Sequence, residues 1–199
     1  MGETRTLLQM AGADLRPPPL RDVAVVVIDA QREYLDGQLP LAGIAPALDA
    51  VARLLARARA AGAPVVHVAH LGRPGGLFDP DGPGGQIAAP ARPEPTETVV
   101  TKRLPNAFAD TELGDVIAAG GRKIILLAGF MTHMCVSSTA RAALDLGLRA
   151  VVLSDATATR SLPDPTGRAV IDAEIVHRAA LAELADRFAI VTPLAQVPD

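Results

Sequence analysis

One stretch of the sequence, residues 123–155, decides the fold class and reads KIILLAGFMTHMCVSSTARAALDLGLRAVVLSD. Residues 123–130 form an apolar run of strand length, and a second such run covers residues 149–155. Between them the spacing of apolar residues predicts a helix over about 134–146, which Gly147 would end. A strand, a helix and a second strand in this order predict a right-handed crossover between parallel strands.

The same unit recurs along the chain. Strand-length apolar runs cover residues 23–30, 64–70, 97–101 and 188–192, and helical patterns cover residues 44–61, 111–119 and about 167–187. The second of these helices would begin with a threonine or aspartate cap. The uninterrupted β-branched run in VAVVVIDA is typical of a strand covered on both faces. The pattern predicts an α/β fold: a three-layer α/β/α sandwich with a mostly parallel, about six-stranded, Rossmann-like sheet.

Length and composition narrow the class of protein. A chain of 199 residues, about half of them apolar, predicts one domain over residues 22–199 after an N-terminal arm at 1–21. A net charge of −3 without charged blocks argues against a nucleic-acid or membrane partner. A single cysteine, and no apolar run suited to a signal peptide or membrane span, favour a cytoplasmic protein.

One connection is unusually long. Residues 70–97 are rich in Gly and Pro, and a loop of this length in a compact domain is usually a functional lid or a disordered segment. Of these two interpretations we favour a lid or active-site loop. Its position after a predicted strand would place it beside the ligand-binding edge of the sheet.

Three chemically distinct side chains fall at the C-terminal ends of predicted strands. Asp29 follows VAVVVI, Lys102 follows TVVT, and Cys135 lies just past KIILLAGF. Taken singly, Asp29 could be a cap, Lys102 a solvated strand end and Cys135 a small core residue. Together they would bring a carboxylate, an ammonium and a thiol to the edge of the sheet where ligands bind.

This combination has a specific chemistry. A helix N-terminus and a nearby cation lower a thiol pKa from about 8.5 to roughly 3.5–7.5, so we expect Cys135 to be an activated nucleophile. Asp29 could take the thiol proton and return it to a leaving amine, and Lys102 could keep Asp29 ionised. The turn GFMTHMC would supply free backbone N–H groups to an oxyanion, with Gly129 allowing a close approach of the backbone.

The sequence resembles the isochorismatase-like cysteine hydrolase superfamily, which includes nicotinamidases, carbamoyl-amide hydrolases and isochorismatases. The likeness rests on VVVIDAQREYLDG, TVVTKRLPNAFADTEL and LLAGFMTHMCVSSTARAALDLGLRAVVLSDATATR, and it extends from about residue 23 to 192. It implies that Asp29 is the catalytic acid and base, Lys102 the family's lysine and Cys135 the nucleophile. A cis peptide would precede the turn, between Phe130 and Met131, with the Met131 and Cys135 N–H groups forming the oxyanion hole.

The resemblance also implies a substrate pocket and a reaction class. The predicted substrate-binding residues are Gln31, Tyr34, His70, Phe108 and Thr132. Cleavage of a C–N bond in a small amide, carbamoyl or lactam substrate is expected, because isochorismatases that cleave a vinyl ether lack the nucleophilic cysteine. Ether or ester hydrolysis, and a non-catalytic thiol-sensing or ligand-binding role, stay open as alternatives. A homo-oligomer, a dimer or larger, is expected by resemblance alone.

The remaining histidines indicate neither a metal nor a second base. The metal-binding nicotinamidases use an Asp-x-His pair and a further His, whereas this chain offers only HVAHLGRPGG, with His67 and His70 on opposite faces of a strand. We therefore predict no metal and no cofactor. His133 is too close to Cys135 in sequence to converge on it. His177, on the last helix, is predicted to lie at the surface or an interface.

Overall fold

The computed structural model describes residues 3–167 and 169–199. The described residues form eight strands, in chain order β1 Ala24–Ile28, β2 Val65–His70, β3 Thr98–Lys102, β4 Ile124–Phe130, β5 Arg149–Ala158, β6 Leu162–Pro163, β7 Val170–Ile171 and β8 Ala189–Thr192. They also form five α-helices: α1 Leu7–Met10, which precedes β1, and α2 Ile44–Ala60, α3 Leu113–Ala119, α4 Ser137–Asp145 and α5 Ala173–Arg187, which lie between strands.

Six strands form one sheet in the order β3-β2-β1-β4-β5-β8, and every neighbouring pair is parallel. The central strand β1 is buried along its whole length, as its continuous β-branched sequence predicts. Helix α2 packs on one face of the sheet, and α3, α4 and α5 pack on the other. The predicted three-layer sandwich with a six-stranded parallel sheet is therefore confirmed.

Three predicted boundaries were wrong. The last helix begins at Ala173 rather than near residue 167, because β6 and β7 form a short antiparallel hairpin before it; residue 168, inside the predicted helix, lies outside the described residues. Helix α3 begins at Leu113 rather than at Thr111; the Glu112 side chain does not cap it, but the Leu113 N–H donates to Oγ1 of the predicted Thr111 at 3.3 Å. Strand β5 continues to Ala158, where it still pairs with Phe130 of β4.

The segment before β1, predicted as an arm, contains α1 and contacts the rest of the chain. A capping box between Thr6 and Gln9 starts this helix. The Leu7 N–H donates to the Asp186 carboxylate at 2.9 Å, and the Arg149 guanidinium donates to the Asp14 carbonyl at 2.6 Å. None of the helices in the described part of the chain combines the length and apolar character needed to cross a membrane.

The long connection after β2 packs against the segment that follows β1. It contains two 3₁₀ turns, Pro83–Gly85 and Ala89–Ala91, and Phe78 within it is buried. The Arg32 N–H donates to the Gln86 carbonyl at 2.8 Å, and Gln31 forms an antiparallel bridge with Ile87. This connection therefore lies over the C-terminal end of β1.

Candidate active site

The sheet register brings three strand ends together. Ile28 at the end of β1 pairs with Val68 of β2 on one side and with Gly129 of β4 on the other, and Lys102 ends β3 beside His70. Asp29 follows Ile28 directly. The carboxylate, the lysine and the turn after β4 consequently meet at the C-terminal edge of the sheet, where open α/β sheets bind ligands.

Lys102 lies at the centre of the cluster. Its Nζ is 2.7 Å from Asp29 Oδ2, 3.3 Å from Cys135 Sγ and 3.3 Å from His70 Nδ1. The Asp29 and Lys102 side chains are completely buried, and Cys135 is 5% exposed. The cysteine is therefore slightly more exposed than the other two members of the trio. The structure brings the predicted carboxylate, ammonium and thiol into mutual contact.

The backbone at Asp29 is held in an uncommon conformation. Its φ is +48°, in the left-handed region that non-glycine residues rarely adopt. The Asp29 N–H donates to the Val68 carbonyl, and the Asp29 carbonyl accepts from the Gln31 N–H, each at 2.8 Å. This bend turns the chain out of β1 and directs the Asp29 side chain toward Lys102. Strained backbone of this kind persists where the surroundings determine it.

Burial sets the protonation states of the cluster. It raises the pKa of Asp29, and the positive charge of Lys102 opposes this effect. Burial and the negative charge of Asp29 raise the pKa of Cys135 to about 12, with Lys102 again opposing. The expectation of a thiol activated by a lowered pKa was therefore wrong. A thiol with a pKa this high is neutral in the resting cluster at neutral pH.

Cys135 lies in a π-helical turn, Thr132–Val136, rather than in the first turn of the predicted α-helix. The Met131 carbonyl accepts from the N–H groups of Met134 at 3.0 Å and Val136 at 3.2 Å, but not from that of Cys135 between them. Among the described residues the Met131 N–H has no backbone partner. π-Turns are frequent at functional sites.

Strand β4 approaches β1 unusually closely just before this turn. Gly129 has a φ of +111°, and a Cβ at this position would lie 1.9 Å from the Ile28 carbonyl oxygen. Only glycine fits here, as the sequence suggested. The peptide bond joining Phe130 to Met131 is cis, which confirms the expectation from the resemblance.

Two of the predicted substrate residues hold the long connection in place. Gln31 Nε2 donates to the carbonyls of His70 at 3.0 Å and Gly85 at 2.8 Å, and Gln31 Oε1 accepts from the His70 N–H at 2.8 Å. The Tyr34 ring packs edge-to-face on Phe78 at 5.0 Å and on Phe130 at 6.0 Å. The Gln31 amide is therefore occupied by hydrogen bonds to the backbone, and the Tyr34 ring belongs to an aromatic cluster with Phe78 and Phe130.

His70 and Thr132 lie beside the cluster. Burial, followed by the charge of Lys102, lowers the pKa of His70 to about 4, so its ring is neutral when it faces the lysine. Thr132 is fully buried, and its Oγ1 lies 2.9 Å from His177 Nδ1, which joins α5 to the turn that carries Cys135. His177 is half-buried, and its prediction as a surface or interface residue stays a prediction.

Phe108 occupies a different place from the other predicted pocket residues. It lines a depression of about 370 Å³ with residues of α3 and α4, and no member of the Asp29–Lys102–Cys135 cluster lines that depression. Its position follows from the loop after Lys102, which turns toward α4: the Ala107 N–H donates to Thr139 Oγ1 at 3.0 Å. Within this chain the structure does not join Phe108 to the cluster.

Glu33 was missed by the sequence reasoning. It is 2% exposed, and its carboxylate accepts from the N–H groups of Gln38 at 2.6 Å and Phe78 at 3.3 Å. Added side-chain atoms at Gly84 would collide with it, since a Cβ there would lie 2.2 Å from Glu33 Oε2. Glu33 thus fastens the long connection beside the site. Glu33 lies in a polar stretch of the sequence, where no periodic pattern of apolar residues indicates burial.

His67 belongs to a second ionic cluster. Its Nε2 lies 2.9 Å from Glu97 Oε2, and Arg59 makes two hydrogen bonds of 2.8 Å to the same carboxylate. His70 meets Lys102 instead, so the two histidines do not converge, as their spacing predicted. A metal ion at His70 Nδ1 would face the Lys102 ammonium, and this arrangement does not fit a metal site.

A parallel sheet flanked by helices, with an aspartate, a lysine and a cysteine together at its C-terminal edge, defines the class of α/β proteins with a candidate active site at that edge. The chain matches the family model described as the isochorismatase domain over residues 23–196, and it belongs to this family. A crystal structure described as an isochorismatase from Pseudomonas putida is 42% identical, with a TM-score of 0.93, and the match covers 98% of this chain and 100% of that one.

Three relatives of known description are similar to this chain in sequence. A secreted isochorismatase effector of Verticillium dahliae is 38% identical over 90% of this chain and 92% of its own length. A streptothricin hydrolase of Streptomyces noursei is 41% identical over 88% of this chain, which spans 64% of that relative. A ureidoacrylate amidohydrolase of Pseudomonas savastanoi pv. phaseolicola is 30% identical over 71% of this chain and 74% of its own length. Hydrolases, amidohydrolases among them, are therefore its relatives.

Proposed function

We propose that this protein is a cysteine hydrolase that cleaves a C–N bond in a small amide, carbamoyl or lactam substrate. The observation that carries the proposal is the contact of one ammonium, that of Lys102, with both the Asp29 carboxylate and the Cys135 thiol. The relative named as an amidohydrolase supports the choice of bond.

The protonation states suggest the order of the chemical steps. Asp29 takes the proton from the Cys135 thiol as the sulfur attacks the substrate carbonyl, so the negative charge passes from carboxylate to sulfur to oxyanion while Lys102 stays beside it. The N–H groups of Met131 and Cys135 would bind the oxyanion, and each such donor is worth about 2.7–4 kcal/mol in the transition state.

The same proton then completes the first half of the reaction. Asp29 donates it to the departing ammonia or amine, the C–N bond breaks, and a thioester on Cys135 remains. Asp29, again ionised, takes a proton from water as the water attacks the thioester. The carboxylic acid leaves and the proton returns to the sulfur. Asp29 therefore acts as base and acid twice in each turnover.

Turnover and adduct formation test this proposal together. The wild-type protein is incubated with a panel of small amides, and the released ammonia or amine is measured beside the Cys135→Ala variant. We expect hydrolysis that this substitution abolishes, and an acyl adduct on the single cysteine in the intact-protein mass after acid quenching. Hydrolysis that continues unchanged in the Cys135→Ala variant would contradict the mechanism.

An ether or ester substrate is the second candidate, favoured by the neighbour described as an isochorismatase. A thiol beside a proton carrier favours an amide, because the departing amine needs the proton that Asp29 holds. A non-catalytic thiol-sensing role would instead give no turnover on either substrate class. We further propose a homo-oligomeric, cytoplasmic enzyme that uses no cofactor and whose partners are small molecules rather than nucleic acid or membrane. One relative is described as secreted, so the compartment requires its own localisation experiment.

A further inference from the structure

The outer side of strand β3, which faces away from β2, is open. Among the described residues β3 ends the six-stranded sheet and pairs with β2 alone, as β8 at the opposite end pairs with β5 alone. Most of β8 is buried, whereas Thr98, Val99 and Thr101 of β3 are exposed, Val99 by 43%. Outer strands are usually covered, shortened or charged, because an open one can pair with another chain. The outer side of β3 is therefore a candidate docking surface.

Two residues of β3 direct both of their backbone groups to the outer side. The Leu71 N–H donates to the Lys102 carbonyl at 2.8 Å, which fixes the hydrogen-bond pattern between β2 and β3. In a parallel ladder every second residue bonds the neighbouring strand, so Val99 and Thr101 point their N–H and C=O groups away from β2. No other backbone group of the described residues bonds them. A strand that lies along the outer side could bond all of these groups.

A second copy of β3 fits this side when it runs antiparallel to the first. With a twofold axis at Val100, Val99 faces Thr101 of the second copy, and Thr101 faces Val99 of the second copy. Both members of each pair have outward backbone groups, so each pair can exchange the two hydrogen bonds of an antiparallel ladder. Valine and threonine are β-branched and pack well across strands. The outer side is thus complementary to itself, as the symmetric interface of a dimer requires.

The charges beside β3 are complementary under the same symmetry. Arg59 contacts two carboxylates, with its Nε 2.8 Å from Glu97 and 3.4 Å from Glu94. His67 adds no charge to this cluster at neutral pH, because burial lowers its pKa, and the cluster is therefore net negative. Arg103 is exposed and forms no ion pair with the described residues. The same antiparallel register places Arg103 opposite Glu97 of the second copy, where it supplies the missing positive charge.

We propose that β3 is the docking surface for β3 of a second copy of this chain, so that two six-stranded sheets join into one continuous sheet. A second copy is the partner because the outward backbone groups and the charges both match under one twofold axis. Lys102 ends β3, so the same pairing holds the strand that carries the ammonium of the candidate site. The interface goes beyond the proposed hydrolase function and is independent of it, since it involves no substrate.

Analytical ultracentrifugation of the full chain measures the dissociation constant of self-association. Thr101→Pro removes an outward N–H that makes no bond within the sheet, and proline is tolerated at such positions of an outer strand. We expect a dimer in the wild-type protein and a dissociation constant at least about tenfold higher in Thr101→Pro, since each copy loses one hydrogen bond of the interface. Thr101→Val is the matched control, because it keeps the N–H and the branched shape, and it should leave the constant unchanged.

Charge reversal is a second test that leaves the backbone of the strand intact. Glu94 is the exposed carboxylate of the cluster, so it is the one to reverse. Arg103→Glu and Glu94→Lys should each weaken self-association, because each places like charges across the interface. An equimolar mixture of the two variants should recover association, because each reversed charge then faces the other.

A wild-type protein that stays monomeric at high concentration would overturn the interface. Self-association that none of these variants weakens, with thermal unfolding showing that they are folded, would also overturn it. If Thr101→Pro does not fold, the charge-reversal variants and their mixture decide the question. Turnover of a small amide by a monomer would contradict the interface and leave the proposed function standing. A β3-dependent dimer without turnover would support the interface and count against that function.

Discussion

Strands β2 and β3 carry two buried ionic clusters that differ in how their carboxylates are satisfied. Glu97, which precedes β3, accepts hydrogen bonds from Arg59, from His67 and from the Glu94 N–H. Asp29, at the other edge of the sheet, has one charged partner within ion-pair distance among the described residues, the Lys102 ammonium at 2.7 Å.

The difference separates a structural cluster from a reactive one. Hydrogen bonds to Glu97 favour its ionised form, and its pKa falls to about 2 although burial alone would raise it. For Asp29 burial dominates and its pKa is raised. A carboxylate whose charge is poorly stabilised binds a proton more readily, and this is the property that a general base in acyl transfer requires.

The largest expected effect is on the reactive cluster. Replacing Cys135 with Ala should lower turnover of any substrate by at least about 10⁴-fold, because the variant has no nucleophile. The thermal unfolding midpoint should change little, since the side chain is small. A variant that folds normally and retains more than a hundredth of the wild-type rate would contradict the nucleophile assignment.

Lys102→Met should lower turnover by about 10² to 10³-fold, since the ammonium is adjacent to every charge that the reaction forms. It should also slow alkylation of Cys135 by iodoacetamide, because Lys102 opposes the rise in the thiol pKa. The other lysine of the chain, Lys123, is exposed, so Lys123→Met is the control and should change neither rate.

Glu97→Gln tests the structural cluster. It should lower the free energy of unfolding at pH 7 by about 2 kcal/mol, since the charged hydrogen bonds to Arg59 and His67 weaken, and should leave turnover near wild type. Glu94 is largely exposed and 3.4 Å from Arg59, so Glu94→Gln should cost less than about 0.5 kcal/mol. Chemical denaturation measures both values.

The sign of the pH dependence follows from the lowered pKa of Glu97. The stability that the ionised Glu97 gives the folded state is complete above its unfolded-state pKa near 4.5, and it is lost as the pH falls toward the folded-state pKa of about 2. The stability difference between the wild-type protein and Glu97→Gln should therefore shrink across that acid range. A difference that stays constant down to pH 2 would show that Glu97 acts through packing rather than charge.

Much of the fold was predictable because buried parallel strands have a recognisable sequence pattern, an uninterrupted apolar run. The β-branched run of β1 and the alternation of strands and helices predicted the sheet, and strand ends placed Asp29, Lys102 and Cys135 at one edge. The β6–β7 hairpin could not be predicted, since two-residue strands have no periodicity. The path that takes Phe108 toward α4 likewise depends on a tertiary hydrogen bond to Thr139.

The charge states of the site residues were harder to predict from the sequence than the identity of those residues. The helix start and the lysine both indicated a lowered thiol pKa, but the burial of Cys135 depends on packing from the whole chain and outweighs them. Sequence patterns predict which residues meet, whereas their charge states follow from burial.

The pH dependence of Cys135 alkylation, compared between the wild-type protein and Asp29→Asn, tests the central claim most directly. If Asp29 holds the negative charge beside a neutral thiol, the wild-type labelling rate should keep rising to well above pH 10, in line with a thiol pKa of about 12. Asp29→Asn should shift this curve down by about one pH unit or more, label faster at pH 7 and lose turnover. A wild-type curve that levels off near the ordinary thiol pKa and is unchanged by Asp29→Asn would contradict the account.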